Sequence, residues 1–422
     1  MSKVAVIGAG YVGLTTAVCF AHLGHEVICA DIDPERVDRL QRGEVPIVEA
    51  GLDTMMTEGL RSGRLRFVLG AEAAAEGCDF IYLCVPTPQG EDGSADLSYI
   101  VTAARSIAPV LTSESIVINK STVPVGSTKV VEKALGRSDI SVVSNPEFLR
   151  EGSAVHDFLN PDRIVIGSDD QAAAIRVATL YLGVPAPLIV TNPASAETIK
   201  YAANAFLATK ISFINAVAAV CEAVGADVND VVLGIGYDKR IGQEFLKPGP
   251  GWGGSCFPKD TRAMVHIAET AGYDFQLLRG VINVNDQQRE RIVAKILDAA
   301  GGSLQGRVVA VWGLTFKART DDLRESPSLA IVQRLVEEGA TVRGYDPTVT
   351  TPLAGIDVAA DAYDACDGAD VLAVLTEWDE FRWLDADKVG DAMTFRKVVD
   401  ARNLLDRSAF IRAGFDFQGI GR

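Results

Sequence analysis

Six residues near the start of the chain, Gly8-Ala9-Gly10-Tyr11-Val12-Gly13, constrain its fold more than any other stretch. They follow an apolar run, Val4–Ile7, that reads as a strand, and they open a stretch, Tyr11–His22, that reads as a helix. The glycines allow a tight turn, a close approach of pyrophosphate to backbone, and close contact between helix and strand, with the phosphates over the helix N-terminus. A second apolar run, Glu26–Ala30, ends at Asp31, whose carboxylate can accept from ribose hydroxyls and repels a 2′-phosphate. Strand, glycine turn, helix and terminal acid together predict a dinucleotide-binding unit that takes NAD rather than NADP. Arg36 weighs on the other side of that choice, because a nearby arginine also accommodates a phosphate.

The same rhythm continues. Phe80–Cys84, Ser115–Asn119, Ser141–Val143 and Arg163–Ile166 are further strand candidates, with helical stretches such as Leu97–Val110 between several of them. Residues 1–193 therefore read as a doubly wound, mostly parallel α/β domain. Residues 194–300 change to nearly all helix, with one long pattern from Ala196 to Gly225 that suits a spine and a dimer surface. Lys200 and Asn204 lie four apart on it, hence on one face. Residues 301–422 return to strand–helix alternation. Strands Arg307–Trp312 and Thr341–Tyr345, ending at Asp346, echo the opening pair, but Leu-Thr-Phe-Lys follows Gly313 in place of a glycine fingerprint. This second α/β unit is expected to bind something other than a dinucleotide.

The formal net charge of −16 argues against nucleic acid or an anionic membrane surface as the main partner. Seven scattered cysteines without a C-x-x-C pair, and four histidines without ligand spacing, argue against a disulfide framework or a metal site and point to a reducing cytoplasm. The most apolar stretch, Ala202–Val224, is interrupted by Lys210, Asn215 and Glu222 and reads as a globular helix, not a membrane span.

One cysteine stands apart. In Gly249-Pro250-Gly251-Trp252-Gly253-Gly254-Ser255-Cys256-Phe257-Pro258-Lys259-Asp260, a glycine-rich loop ends at Cys256 just where a helix through Thr261–Ala271 is expected. Free N–H groups there, and Lys259, favour thiolate over thiol, which suits a nucleophile; the alternative is a buried, inert thiol. Ser121-Thr122-Val123-Pro124-Val125-Gly126-Ser127-Thr128 and Asn145-Pro146-Glu147-Phe148-Leu149-Arg150-Glu151-Gly152 each follow a strand, at the sheet edge where α/β proteins bind ligands. The first reads equally as a capped turn and the second as a solvated loop. Lys317, Arg319 and Arg324, with Lys247 and Arg240, offer positive charge for a diphosphate, or simply pair with Asp321, Asp322 and Glu325.

Taken in order along the chain, these motifs, with Phe316-Lys317, resemble those of the nucleotide-sugar 6-dehydrogenases, the UDP-glucose/GDP-mannose dehydrogenase family. The resemblance spans essentially the whole chain. It implies two Rossmann-like domains joined by a long central helix and a helical dimerisation region, in a cytoplasmic homodimer. The implied reaction is a four-electron oxidation of a sugar C6 alcohol to a carboxylate with two NAD and no metal, at a site between the two α/β units. The Ser-Cys-Phe-Pro-Lys-Asp wording favours UDP-glucose as substrate, with GDP-mannose or another UDP-hexose as alternatives. A two-electron 3-hydroxyacid dehydrogenase is the competing enzyme class, and it has no need of Cys256.

By the same resemblance, Cys256 is the nucleophile that traps the aldehyde as a thiohemiacetal and then a thioester. Asp260 serves as base, Lys200 and Asn204 hold the oxyanion, and Thr122 and Glu147 orient water and sugar. The NAD contacts implied are Gly8, Gly10, Tyr11, Val12, Gly13, Asp31, Arg36, Thr87, Thr122, Glu151, Lys259 and Arg324. Those to the nucleotide sugar are Glu147, Phe148, Leu149, Arg150, Glu151, Gly152, Lys200, Asn204, Phe245, Leu246, Lys247, Pro248, Gly249, Gly253 and Lys317. Arg240 matches an arginine supplied by the second subunit. Two stretches depart from the family pattern: Val85-Pro86-Thr87-Pro88 has a proline where glycine is common, and Ala318-Arg319 replaces Pro-Asn after Lys317.

Overall fold

Val4, Ala5, Val6 and Ile7 are all buried, as a strand covered by helices on both faces requires. The computed structural model describes residues 1–90 and 95–422, and by contact these form two compact units. The first comprises Met1–Ala203 and Arg262–Ala271, the second Asn204–Thr261 and Gly272–Arg422.

The first unit holds eight strands: β1 (Lys3–Ile7), β2 (Glu26–Asp31), β3 (Leu65–Leu69), β4 (Phe80–Leu83), β5 (Ile116–Asn119), β6 (Ser141–Ser144), β7 (Ile164–Gly167) and β8 (Leu188–Thr191). Their order is β3-β2-β1-β4-β5-β6-β7-β8, and every pairing is parallel except the single antiparallel contact of Ser144 with Gly167 between β6 and β7. The chain reverses its direction of winding between β3 and β4, so the crevice at the ends of β1 and β4 is the switch point where such sheets bind ligands. One apolar core lies on each face, built around Leu14, Phe20 and Tyr82 on one and Ile81, Ile100 and Val117 on the other.

The second unit repeats the plan with β9 (Val308–Trp312), β10 (Thr341–Tyr345), β11 (Ile356–Val358), β12 (Val371–Val374), β13 (Lys397–Asp400) and β14 (Asp416–Gln418), in the wholly parallel order β11-β10-β9-β12-β13-β14. The echo extends to single hydrogen bonds. Gly8 N–H donates to the Ala30 carbonyl and Gly313 N–H to that of Tyr345, each at 2.8 Å. Both glycines have positive φ, +102° and +90°, a conformation open to glycine at no steric cost.

Here the echo ends. After Gly313, the buried Leu314 and Thr315 take the turn, and Asp346 accepts from both of their N–H groups (2.8 and 3.0 Å), the Thr315 hydroxyl and the Trp378 indole. Side chains of the protein fill this turn, in keeping with the missing glycine fingerprint.

The long helix, Pro193–Val224, gives its first residues to one unit and the rest to the other. By length and composition it could cross a membrane. Its buried polar residues, however, each have a fixed protein partner: Glu197 and Lys200 in the first unit, Asn204, Ser212 and Asn215 in the second. Such a row marks a helix face fitted to protein rather than lipid.

Candidate active site

In the first unit, the six-residue fingerprint adopts the expected strand–turn–helix geometry. A Cβ on Gly8 would lie 2.7 Å from the Cys84 carbonyl oxygen, and one on Gly13 would lie 1.8 Å from the Gly8 carbonyl oxygen. Both glycines are demanded by the protein's own backbone. Gly10 differs, since a Cβ there would meet nothing within 4 Å. The helix Tyr11–His22 that follows has no side-chain cap at its N-terminus, so its first N–H groups face that open space. A pyrophosphate fits this cradle.

Asp31, at the end of β2, accepts from Ala9 N–H (2.9 Å), Asp33 N–H (3.1 Å) and the Arg36 guanidinium (3.4 Å). The pairing turns Arg36 toward Asp31. Thr87 and Thr122, both buried, are brought together by a 2.9 Å bond from the Thr87 hydroxyl to the Thr122 carbonyl. Val12 is half-buried in the first turn, where its carbonyl accepts from the Thr16 hydroxyl.

Tyr11 has a partner that sequence reasoning missed. Its hydroxyl donates to Glu49, and Gly152 N–H donates both to that hydroxyl (2.8 Å) and to Glu49 Oε2 (2.9 Å). Burial first, and the Glu49 carboxylate second, push the Tyr11 phenol well above its ordinary range. The fingerprint helix is thereby tied to the loop that ends at Gly152.

Within that loop, Glu147 is buried and accepts from Lys200 Nζ at 2.7 Å and Leu149 N–H at 2.6 Å. Burial pushes its carboxyl up, but the charge and hydrogen bond of Lys200, then Leu149 N–H and the charge of Lys120, hold it below the usual carboxylate range. The Phe148 ring is approached by the Arg163 guanidinium at 3.7 Å and by Lys200 Nζ at 5.4 Å. Leu149 packs against the first core. Arg150 is exposed and forms a fork with Asp157, at 3.0 and 2.6 Å, while Glu151 is half-buried beside Gly152. Glu197, three residues before Lys200, was not singled out by sequence either. It accepts from Gly126 N–H (2.6 Å), Thr128 N–H (3.0 Å) and the Thr128 hydroxyl (2.8 Å), fixing the end of the hydroxyl-rich loop.

In the second unit, the helix Phe257–Thr270 begins four residues earlier than the sequence suggests, so Cys256 is its N-cap residue. The Cys256 carbonyl accepts the first helical bond, from Asp260 N–H at 2.9 Å. Its partly exposed sulfur has the Ser255 hydroxyl 3.6 Å away. None of the seven cysteines forms a disulfide, and the other six are buried. Lys259 has a partner in the next residue of the helix. Its ammonium donates to Asp260 Oδ1 at 2.6 Å, while Asn204 Nδ2 donates to Asp260 Oδ2 at 2.6 Å. Asp260, fully buried, is thus held on both oxygens, and a helix N-terminus such as the one at Cys256 in general favours thiolate over thiol.

The glycine-rich loop before Cys256 proves to be built against the protein itself. A Cβ would meet Asn285 Oδ1 at 2.5 Å from Gly251, the Glu325 carbonyl at 2.1 Å from Gly253, the Phe316 ring at 2.8 Å from Gly254, and the Arg402 guanidinium at 3.1 Å from Gly249. Buried polar side chains suspend the loop. Asn215 accepts from Gly249 N–H (2.9 Å), Asn285 from Trp252 N–H (2.8 Å), and Gln288 donates to the Gly249 carbonyl (2.9 Å). Upstream, Leu246 and Pro248 are buried, Lys247 is exposed, and Phe245 holds a left-handed φ of 63°. Lys317 is half-buried, with Nζ 5.2 Å from the Phe316 ring. Arg240 pairs with Asp238 and Arg324 with Asp322, so both guanidinia carry a neighbouring acid in this state. Among the described residues, no cluster of three His, Cys, Asp or Glu is arranged to hold a metal.

Family models match three successive stretches: the NAD binding domain of the UDP-glucose/GDP-mannose dehydrogenase family at residues 2–184, its central domain at 194–287, and its UDP binding domain at 310–407. A UDP-glucose 6-dehydrogenase of Rhizobium meliloti is 46% identical, with 100% of this chain and 99% of that protein covered. Among solved structures, a UDP-glucose dehydrogenase from Pyrobaculum islandicum is similar at a TM-score of 0.92 and 39% identity, covering 100% of this chain and 98% of that one. A UDP-D-ManNAc dehydrogenase from Pyrococcus horikoshii is similar at 0.88 and 29%, covering 99% of each.

Proposed function

The chain belongs to the UDP-glucose/GDP-mannose dehydrogenase family and is an NAD-dependent oxidoreductase, and from that premise we propose that it oxidises the C6 alcohol of UDP-glucose twice, to UDP-glucuronate. The observation that carries this reading is Cys256 at a helix N-terminus one turn before Asp260, an acid clasped by Asn204 and Lys259. A two-electron alcohol oxidation has no use for that thiol.

The Gly8–Gly13 turn would hold NAD, which when bound would supply the hydride acceptor for each of the two oxidations. In the first, the C6 hydroxyl loses its proton to a base, for which Asp260 is the candidate, and the carbon becomes an aldehyde. The Cys256 thiolate then adds to that carbonyl carbon, and the oxygen takes up the negative charge. Lys200 and Asn204 donate to this oxygen as charge grows on it. Loss of the second hydride leaves a thioester. Water adds to the thioester carbon, the C–S bond breaks, and the carboxylate leaves with the thiol restored. Glu147, kept ionised by Lys200, orients water together with Thr122.

NAD contacts are assigned to Tyr11, Val12, Asp31, Arg36, Thr87, Thr122, Glu151, Lys259 and Arg324. The nucleotide sugar is assigned to Phe148–Gly152, Phe245–Gly249, Gly253 and Lys317, with Arg240 from the second copy of a homodimer. For Arg240 and Arg324 this requires release from Asp238 and Asp322. The unbridged cysteines suit a reducing cytoplasm.

Counting NADH per sugar tests the reading. Two per UDP-glucose is expected, and Cys256→Ser should form no UDP-glucuronate while leaving NAD affinity intact. One NADH per sugar, or a marked preference for GDP-mannose or UDP-N-acetylmannosamine in a substrate panel, would overturn it.

A further inference from the structure

Lys120 directly follows β5 and is 4% exposed. Its Nζ donates to the Tyr181 hydroxyl at 3.2 Å and to Asn145 Oδ1 at 3.4 Å, and lies 5.7 and 5.8 Å from the Phe158 and Tyr181 ring centroids. Among the described residues, no carboxylate stands within ion-pair distance of it. A buried ammonium with only neutral ligands is costly unless some negative charge nearby offsets it.

The candidate for that charge is Glu147. It lines one small cavity together with Lys120, Asn145, Phe158 and Tyr181, and it lies two residues beyond Asn145 on the same loop. Asn145 is locked in place. Its Oδ1 accepts from the hydroxyls of Tyr181 (2.6 Å) and Tyr82 (3.3 Å), and its Nδ2 donates to the Val165 carbonyl (2.8 Å). Lys120 therefore touches the base of the loop that presents Glu147, and its charge lines the same cavity as that carboxylate.

We propose that Lys120 is a positioning residue for Glu147: through Asn145 and Tyr181 it fixes the loop that presents the carboxylate, and its buried charge supplements that of Lys200 on the same cavity. This rests on the reading that Glu147 works in the reaction. The other charged or titratable groups around Glu147 are accounted for. Lys200 pairs with it directly, Arg163 stacks on Phe148, Asp157 is paired with Arg150, and Cys84 is a buried thiol pushed up to about 12, chiefly by burial. Removing Lys120 takes away one of the groups that oppose burial, the largest influence on Glu147, and leaves Lys200 and Leu149 N–H as the principal ones.

The test compares Lys120→Met, Lys120→Gln and Lys120→Arg in the full chain. Glu147 is read by the carboxylate infrared band that is lost in Glu147→Gln. Its titration midpoint should rise by about one pH unit in Lys120→Met, and the acid limb of kcat/KM with UDP-glucose should move with it. Lys120→Arg should restore the midpoint. Lys120→Gln keeps a hydrogen-bonding side chain without charge, and it decides the matter if the methionine variant does not fold. An unmoved midpoint in the uncharged variants, or an equal shift in Lys120→Arg, would overturn the proposal. A wild type that fails to oxidise UDP-glucose sinks the proposed function instead, and the infrared titration still decides the role of Lys120.

Discussion

Asp260 can take a proton only from the geometry that Asn204 and Lys259 allow it. Asn204→Ala strips one of its two partners and leaves a buried carboxylate oxygen bare. Turnover is expected to fall by roughly 10²-fold or more, the usual scale for displacing a general base, with a stability loss of about 1–3 kcal/mol. Steady-state kinetics and urea unfolding on one preparation separate the two effects, and unchanged turnover would remove Asp260 as the base. Glu147 makes a second claim, about pH. Its folded-state carboxyl lies below the ordinary value, so its ion pair contributes stability that is present above the unfolded pKa of about 4.3 and is lost as pH falls through the lower folded value. Lys200→Met should therefore cost about 3–5 kcal/mol at pH 7, the scale for orphaning a buried charge. That cost should shrink toward pH 4 as the stranded Glu147 protonates, and a pH-independent deficit would contradict it. Much of this was legible in sequence. A lysine and an asparagine one turn apart on an apolar helix stand out, and so does a cysteine between glycines and Lys-Asp. Their partners did not stand out, because Glu147 is 53 residues from Lys200 and Asp260 is 56 from Asn204, and no local period links such distances. Glu49 and Glu197 were missed for the same reason: each satisfies donors from a loop far along the chain.

At the scale of elements, the two glycine-rich segments look alike in sequence and are physically different. In the first, Gly10 borders open space, whereas Gly8 and Gly13 touch protein backbone. In the second, Gly251, Gly253 and Gly254 all face protein atoms, so this loop's glycines serve its own fit as well as any ligand. Composition cannot separate these cases, since what matters is which segment lies opposite each Cα. Substitution can. Gly10→Ala should fold with a melting temperature near wild type, because its φ of −73° suits alanine and its Cβ has room. Its NAD affinity should drop at least tenfold as the methyl group enters the phosphate cradle. Gly253→Ala should do the reverse, costing at least about 1–3 kcal/mol from overpacking against a backbone carbonyl that cannot swing aside. Calorimetry and NAD titration on both variants give the comparison. Equal effects of the two on NAD affinity would mean that the open space at Gly10 is not the pyrophosphate cradle.

At the scale of the whole molecule, one winding plan appears twice and was put to two uses. Asp31 and Asp346 end corresponding strands, but Asp31 leaves an open turn beside it, whereas Asp346 gathers three donors from a turn filled by Leu314 and Thr315 and another from the Trp378 indole. Titration should accordingly saturate at one NAD per chain. The long helix then bears on assembly. Phe206, Phe213, Val220 and Val224 are 65%, 55%, 60% and 70% exposed, and their spacing of seven, seven and four places them on one stripe of the helix. A stripe of this kind on an acidic protein is suited to pairing with its own copy about a twofold axis, which buries it on both chains at once. Phe213→Glu combined with Val220→Glu should turn a dimer into a monomer by light scattering, while the nucleotide turn, in the other unit, still binds NAD. If Arg240 serves the neighbouring copy, the monomer should also lose turnover. A sharper version uses two dead proteins. Arg240→Ala lacks the arginine it would lend, and Cys256→Ala lacks the thiol. In a mixed dimer, the site with an intact thiol receives the intact arginine, while the other site lacks both. Random remixing of equal amounts should therefore restore roughly a quarter of wild-type turnover, since half the dimers are mixed and each has one whole site. Mixing that restores nothing, between proteins shown to exchange subunits, would confine Arg240 to its own chain, where its partner is Asp238.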